Sequence, residues 1–167
     1  SWHNEFKEKY DIELEQVINE ELNPTNGRGI SMGETLEMIN KHSKCDAIMV
    51  SDVGQHQMFA CRYAKFKSSK SNVTSGGLGT MGFALPAAIG AKFGAPEREV
   101  VAIMGDGGAQ MNLQELGTIM QFKPNVKIIV LNNSFLGMVR QWQELFHEKR
   151  YSFTDIQSPN FVAVANA

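Results

Sequence analysis

The chain has 167 residues, 43% of them hydrophobic, with 16 Lys and Arg against 18 Asp and Glu. That is enough apolar material for one domain-sized core, and a net charge of −2 gives no electrostatic reason to expect nucleic acid or an anionic membrane as partner. Lys65, Lys67 and Lys70 form a small basic cluster that reads as a solvated loop. Cys45 and Cys61 lack a CxxC spacing and fit neither a disulfide scaffold nor a zinc site, which points to a reducing, intracellular setting. The apolar runs are too short to span a bilayer, and no apolar signal region opens the chain. The four His residues form no metal-ligand pattern.

In chain order, residues 2–21 are charged and read as a linker or peripheral helix. Asn23-Pro24-Thr25-Asn26-Gly27 is a strong break, so the expected division is residues 1–25 and then a domain over 26–167. Ser31 with Glu34 has the spacing of a capping box and predicts a helix to about residue 41. Three apolar strands follow, at 47–50, 100–104 and 126–131. They close on Ser51-Asp52-Val53-Gly54, Gly105-Asp106-Gly107-Gly108 and Asn132-Asn133-Ser134. Helical spacing follows each, at 57–63, 113–122 and 138–146, and a further helix rich in Ala and Gly is expected at 81–93.

Alternation of this kind predicts an α/β fold with a parallel sheet flanked by helices on both faces. The strands read as continuous apolar runs, as when both faces are covered. Ligands of such sheets sit beyond the carboxyl ends of the strands, where Asp52, Gln55, His56, Asp106 and Asn133 fall.

A carboxylate and an amide oxygen past neighbouring strands can meet on one hard cation. Mg²⁺ takes octahedral oxygen ligands and is commonly completed by phosphate and water. Gly105, Gly107 and Gly108 would let a phosphate approach main-chain N–H groups, and a helix starting near Asn112 would aim its positive end at the same place. Either motif alone reads as a strand-to-helix turn or a helix cap; together they favour a metal site.

A rival motif, Gly77-Leu78-Gly79-Thr80-Met81-Gly82, matches GxGxxG before a helix. The preceding residues 71–75 make a poor buried strand, and no strand ending in an acidic ribose ligand follows at the usual distance. A dinucleotide site, or a non-catalytic nucleotide-binding module, is therefore the lesser reading.

Gly105-Asp106-Gly107 followed by Asn132-Asn133 resembles the signature of thiamine diphosphate enzymes. Val53-Gly54-Gln55-His56-Gln57-Met58, the block from Thr74 to Gly82, Leu85-Pro86-Ala87-Ala88-Ile89-Gly90 and Leu136-Gly137-Met138-Val139-Arg140-Gln141-Trp142 closely resemble acetolactate synthase (acetohydroxyacid synthase) catalytic subunits. The resemblance runs from about residue 30 to the end. It implies that Asp106 and Asn133 bind Mg²⁺ through side chains and Phe135 through its carbonyl. It places Gln55 and His56 on the diphosphate, with Val53, Gly54, Gly105, Gly107, Gly108, Leu136, Gly137 and Met138 around the cofactor. It gives Gly79 a carbonyl contact to the aminopyrimidine and sets Met81 under the bend between the two rings. Met138 and Trp142 would line a substrate pocket.

Phe59 departs from the family's usual Trp, and Gly108-Ala109 from a common Ser-Phe; neither removes a ligand. The family's chain is longer and has three domains. The Glu that protonates the cofactor ring lies on the first and FAD on the middle one, so this domain alone is expected to bind no FAD and to be inactive by itself. Residues 160–167 read as the start of a helix that the family continues. The implied activity joins pyruvate, after decarboxylation, to a second 2-keto acid in branched-chain amino acid biosynthesis. The implied partners are a second catalytic subunit, in a dimer or tetramer, and a regulatory subunit; the implied place is the cytoplasm, or an organelle in a eukaryote. Another thiamine diphosphate-dependent 2-keto acid decarboxylase or oxidase is the nearest alternative.

Overall fold

The computed structural model describes residues 1–22 and 29–167; the expected break at Asn23 to Gly27 and the division at 25/26 lie outside the described residues. Four parallel strands form one sheet in the order β2-β1-β3-β4, with β1 Ile48–Ser51, β2 Asn72–Thr74, β3 Val100–Gly105 and β4 Val126–Leu131. Ser51 pairs with Ile103, and Gly105 with Leu131. The register therefore brings Asp52, Asp106 and the Asn132-Asn133 pair to the same edge of the sheet, where a parallel α/β fold places its ligands.

Alternation along the two central strands divides the core. Met49, Val101 and Ile103 point to one face and pack with Leu36 and Ile39 of α3 (Met32–His42) and Ala60 and Tyr63 of α4 (Gln55–Tyr63). Ile48, Val50, Val100, Ala102 and Met104 point to the other face, against Ala84, Leu85 and Ala88 of α5 (Ala84–Gly94) and Ala109 of α6 (Asp106–Met111). β1 and β3 have helices on both sides, which explains their unbroken apolar sequence. β4 is an edge strand, with Lys127 and Ile128 exposed, so full coverage of all strands does not hold.

The N-terminal segment is helical: α1 (Trp2–Glu13), a π-helical stretch at Leu14–Ile18, then α2 (Asn19–Leu22). Its first half is exposed, but Ile18 is buried with Leu36 and Ile39, and Leu14 and Leu22 pack on the same cluster. Salt bridges from Arg62 to Glu13 and Glu21, and a hydrogen bond from the Tyr63 hydroxyl to Glu21, tie the segment to α4.

Several boundaries differ from the sequence reading. Residues 72–74 do form a strand, a short and half-exposed one whose main chain pairs with β1, so side-chain polarity did not prevent pairing. Helix α5 begins at Ala84 rather than near 81, because Gly79 and Gly82 take positive φ (62° and 81°) in a turn. The glycines after β3 do not make a loop: α6 begins at Asp106 itself, and the next helix, α7 (Glu115–Phe122), starts later than Asn112. On α5, Ala84 and Ala88 do the close packing, whereas Gly90 faces open space.

The capping box of α3 is complete. The Glu34 N–H donates to Ser31 Oγ at 3.1 Å, and the Ser31 N–H donates to Glu34 Oε2 at 2.8 Å. The Ser31 hydroxyl also donates to the Glu21 carbonyl at 2.7 Å, joining the N-terminal segment to this helix. Ser31→Ala removes the two bonds made by the hydroxyl, to the Glu34 N–H and the Glu21 carbonyl, and is expected to cost about 1–2 kcal/mol in urea unfolding, at the upper end of ordinary cap losses; an unchanged midpoint would contradict the tether.

Candidate functional site

Asp106, at the end of β3, is 2% exposed. Its Oδ1 accepts from the Gly107 N–H at 3.1 Å, and its Oδ2 from the Ser134 N–H at 2.8 Å and the Ser158 hydroxyl at 3.4 Å. Among the described residues no salt bridge reaches it. A carboxylate this deep is costly to keep charged unless hydrogen bonds and a cation compensate. The Ser134 bond also fixes the neighbouring strand end, because Ser134 directly follows Asn133. Asn133 is exposed, with its Oδ1 accepting from the Phe135 N–H at 3.1 Å.

His56, in the first turn of α4, is 6% exposed, and its Nε2 is buried without a partner. The main chain of Asp52 hydrogen-bonds the ring, which leaves Nδ1 as the bonded nitrogen. The imidazole sits in a slot with no room for side chains. A Cβ on Gly54 would lie 2.6 Å from its Cε1, and one on Gly105 would lie 3.0 Å away. Burial holds its pKa below the ordinary value, against the opposing pull of Asp52 and Asp106.

These groups line a cavity of about 90 Å³. Val53, Gly54, Gln55, His56, Met81, Gly105, Asp106, Gly107, Gly108, Asn133, Phe135, Leu136, Gly137 and Met138 all face it. Gly79 and Trp142 do not. Gly79 is exposed beside the rim, where a Cβ on it would lie 3.9 Å from Val53, and Trp142 is 57% exposed on α8 (Gly137–Phe146), its ring 4.8 Å from that of Phe146. Met32, Leu131 and Val139 also line the cavity; Val139 stands inside a quoted motif without a role assigned to it, and Met32 and Leu131 in none. Nor did any motif mark the returning loop that pairs Phe135 with Asp155 and brings Ser158 to Asp106.

The glycines also serve the fold itself, and one expectation about the helices changes. Gly107 gives room to Leu136, and Gly108 to the Asp52 carboxylate, which a Cβ there would strike. Their absent side chains are needed by the protein's own packing. The positive helix end near the site is that of α6 at Asp106, not one near Asn112. The rival glycine motif does have a strand before it and a helix after it. The N–H groups of Gly82 and Phe83, which a pyrophosphate would need, already bind Asp52 at 3.1 Å each.

A larger groove of about 720 Å³ lies between β4 and α9 (Phe161–Asn166), but no ionisable side chain lines it. Among the described residues no three His, Cys, Asp or Glu side chains converge as a metal site. A hard cation here would instead meet one carboxylate, one amide oxygen and a main-chain carbonyl, with its other positions left to ligand oxygens. Asp106, buried and tied to Ser134, the residue after the exposed Asn133, fits that donor set.

The His56 pKa has a consequence for stability. As pH falls through about 6.5, the unfolded chain takes a proton on His56 that the folded site refuses until lower pH. Stability is therefore expected to fall with acidification below that value. His56→Gln should flatten this part of the profile in denaturant titrations at pH 7.5 and 5.5; an equal slope in both proteins would contradict a neutral, buried imidazole.

A family model described as thiamine pyrophosphate enzyme, C-terminal TPP binding domain, matches residues 52–167. The acetolactate synthase large subunit of Lactococcus lactis subsp. lactis (strain IL1403) is 48% identical over 136 residues, covering 80% of this chain and 24% of that one. The acetolactate synthase isozyme 3 large subunit of Escherichia coli (strain K12) is 47% identical over 144 residues, covering 86% of this chain and 25% of that one. A solved structure, the thiamine diphosphate-dependent 4-hydroxybenzoylformate decarboxylase of Rhodococcus jostii RHA1, superposes with a TM-score of 0.77 at 27% identity, over 85% of this chain and 27% of that chain. The chain thus spans about a quarter of the length of the curated relatives it matches. With the match covering most of the chain and the whole Asp106–Asn133 edge, the chain belongs to the thiamine pyrophosphate enzyme C-terminal TPP binding domain family.

Proposed function

We propose that this chain is the cofactor-binding part of an acetolactate synthase. Residues 26–167 would form the domain that grips the diphosphate of thiamine diphosphate through Mg²⁺. The observation that carries this is the buried Asp106 carboxylate, without an ion pair, hydrogen-bonded to the residue that follows Asn133. Asp106 and Asn133 would supply side-chain oxygens to the metal and Phe135 a carbonyl, while Gln55 and His56 would contact the diphosphate. Val53, Gly54, Gly105, Gly107, Gly108, Leu136 and Gly137 form the wall around them. Gly79 and Met81 serve the ring end, and Met138 and Trp142 the substrate side.

When bound, thiamine diphosphate supplies a carbanion equivalent and an electron sink, which no side chain offers. The share of this chain is to anchor, orient and keep water from one side. A cavity of about 90 Å³ is small beside the roughly 300–1,000 Å³ of ordinary ligand pockets, so other parts of the protein must complete it. A second catalytic subunit is the proposed source of those parts, with FAD bound by another domain and a regulatory subunit as a further partner. The reaction is the decarboxylation of pyruvate and the transfer of its two-carbon fragment to a second 2-keto acid. The proposed location is the cytoplasm, or an organelle in a eukaryote; no described helix is long and apolar enough to cross a membrane. The likeness to the decarboxylase favours a second reading, simple decarboxylation of a 2-keto acid, at much lower identity than the synthases. Product analysis of the full-length protein with pyruvate separates them: acetolactate supports the synthase, acetaldehyde the alternative.

In the full-length protein, Asp106→Ala is expected to weaken Mg²⁺-dependent binding of thiamine diphosphate by about 100-fold or more, the scale of losing one partner of a buried ionic contact. Asn133→Ala acts in the same direction, by about 10-fold, the loss of one neutral ligand to a charged group. Calorimetric titration reads both, and wild-type affinity in the Asp106 variant would contradict the assignment.

A further inference from the structure

Asp52 stands at the end of β1 and is 1% exposed. Its two oxygens accept from the N–H groups of Gly82 and Phe83, each at 3.1 Å. From the other side, Asn112 Nδ2 donates to the carbonyl of the same Gly82 at 2.6 Å. Gly82 has φ 81°, and a Cβ there would lie 2.9 Å from Asn112 Nδ2 and 3.0 Å from Met111 Cβ. One residue is thus held at both of its main-chain polar groups, by side chains from the end of β1 and the end of α6. The space for the Asp52 carboxylate exists only because residue 108 is glycine.

The residue just before this clamp is Met81, which lines the cavity. Its Cε lies 3.6 Å from where a Cβ on Gly107 would stand, directly beside the first turn of α6. The segment from Gly76 to Gly82 contains four glycines and lies between β2 and the start of α5, so it has much conformational freedom to lose. Fixing Gly82 fixes where Met81 emerges from the main chain.

We infer that Asp52 and Asn112 are positioning residues that set Met81 against the ring end of the bound cofactor, while leaving the diphosphate end to Asp106 and Asn133. This rests on the proposed cofactor reading. A purely structural cap of α5 would lower stability without distinguishing one end of the ligand from the other.

The test uses the full-length protein with Mg²⁺ and two probes, thiamine diphosphate and inorganic pyrophosphate, which has the anchor but no rings. In Asp52→Asn one acceptor oxygen becomes a donor facing N–H groups, and in Asn112→Ala the Gly82 carbonyl loses its partner. Each variant is expected to raise the Kd for thiamine diphosphate about 10-fold and to leave that for pyrophosphate within about twofold, the scale of one or two hydrogen bonds lost near the rings alone. Asn112 is only half buried, so its variant reports even where the Asp52 variant folds poorly. Equal weakening of both probes, or no change in either, would overturn the inference and leave the cofactor reading intact. Wild-type protein that binds neither probe would overturn the cofactor reading, and the inference with it.

Discussion

Two carboxylates are buried at the carboxyl edge of the sheet, Asp52 after β1 and Asp106 after β3, and neither makes a salt bridge among the described residues. Burying charge without compensation is among the costliest things a fold can do. Much of the local architecture is accounted for by how each is compensated. Asp52 is satisfied inside the chain by the N–H groups that open α5. Asp106 receives N–H groups from Gly107 and Ser134, but it also faces the cavity, where charge is still to be balanced. The parallel register places both at one edge, and the missing side chains of Gly105, Gly107 and Gly108 allow His56, Leu136 and Asp52 to close around them.

The same contrast accounts for what the sequence made legible. The central strands were readable because helices cover both faces and force a continuous apolar run, and α3 because Ser31 and Glu34 cap it reciprocally. β2 escaped because its pairing is a main-chain matter and Asn72-Val73-Thr74 buries little. α6 escaped because three glycines and an aspartate after a strand look like a loop; tertiary closeness to Asp52 and Leu136 overrides that preference. At the site, strand-end position and motif spacing pointed to Gln55, His56, Asp106, Asn133 and the glycines around Asp106, and the family resemblance supplied the rest of the fourteen named residues that line the cavity. Met32 and Ser158 come from segments whose approach depends on tertiary folding, and local pattern carries no trace of it.

The site is also unevenly walled. On the anchor side Asp106 and His56 are buried, with His56 slotted between two glycines. The α8 side is open: Trp142, Leu145 and Phe146 are exposed, and the Gln55 side chain reaches across to Gln141 at 3.1 Å. This asymmetry suits a chain that spans about a quarter of its relatives' length.

On the proposed reading, Asp106 and Asn133 hold a diphosphate through a divalent cation. Titration of the full-length protein with thiamine diphosphate, with and without Mg²⁺ and beside NAD and ATP, tests it most directly. The account predicts saturable binding of thiamine diphosphate that collapses when Mg²⁺ is chelated, and no comparable binding of NAD or ATP. Equal affinity in the absence of divalent metal, or tighter binding of either nucleotide, would contradict it.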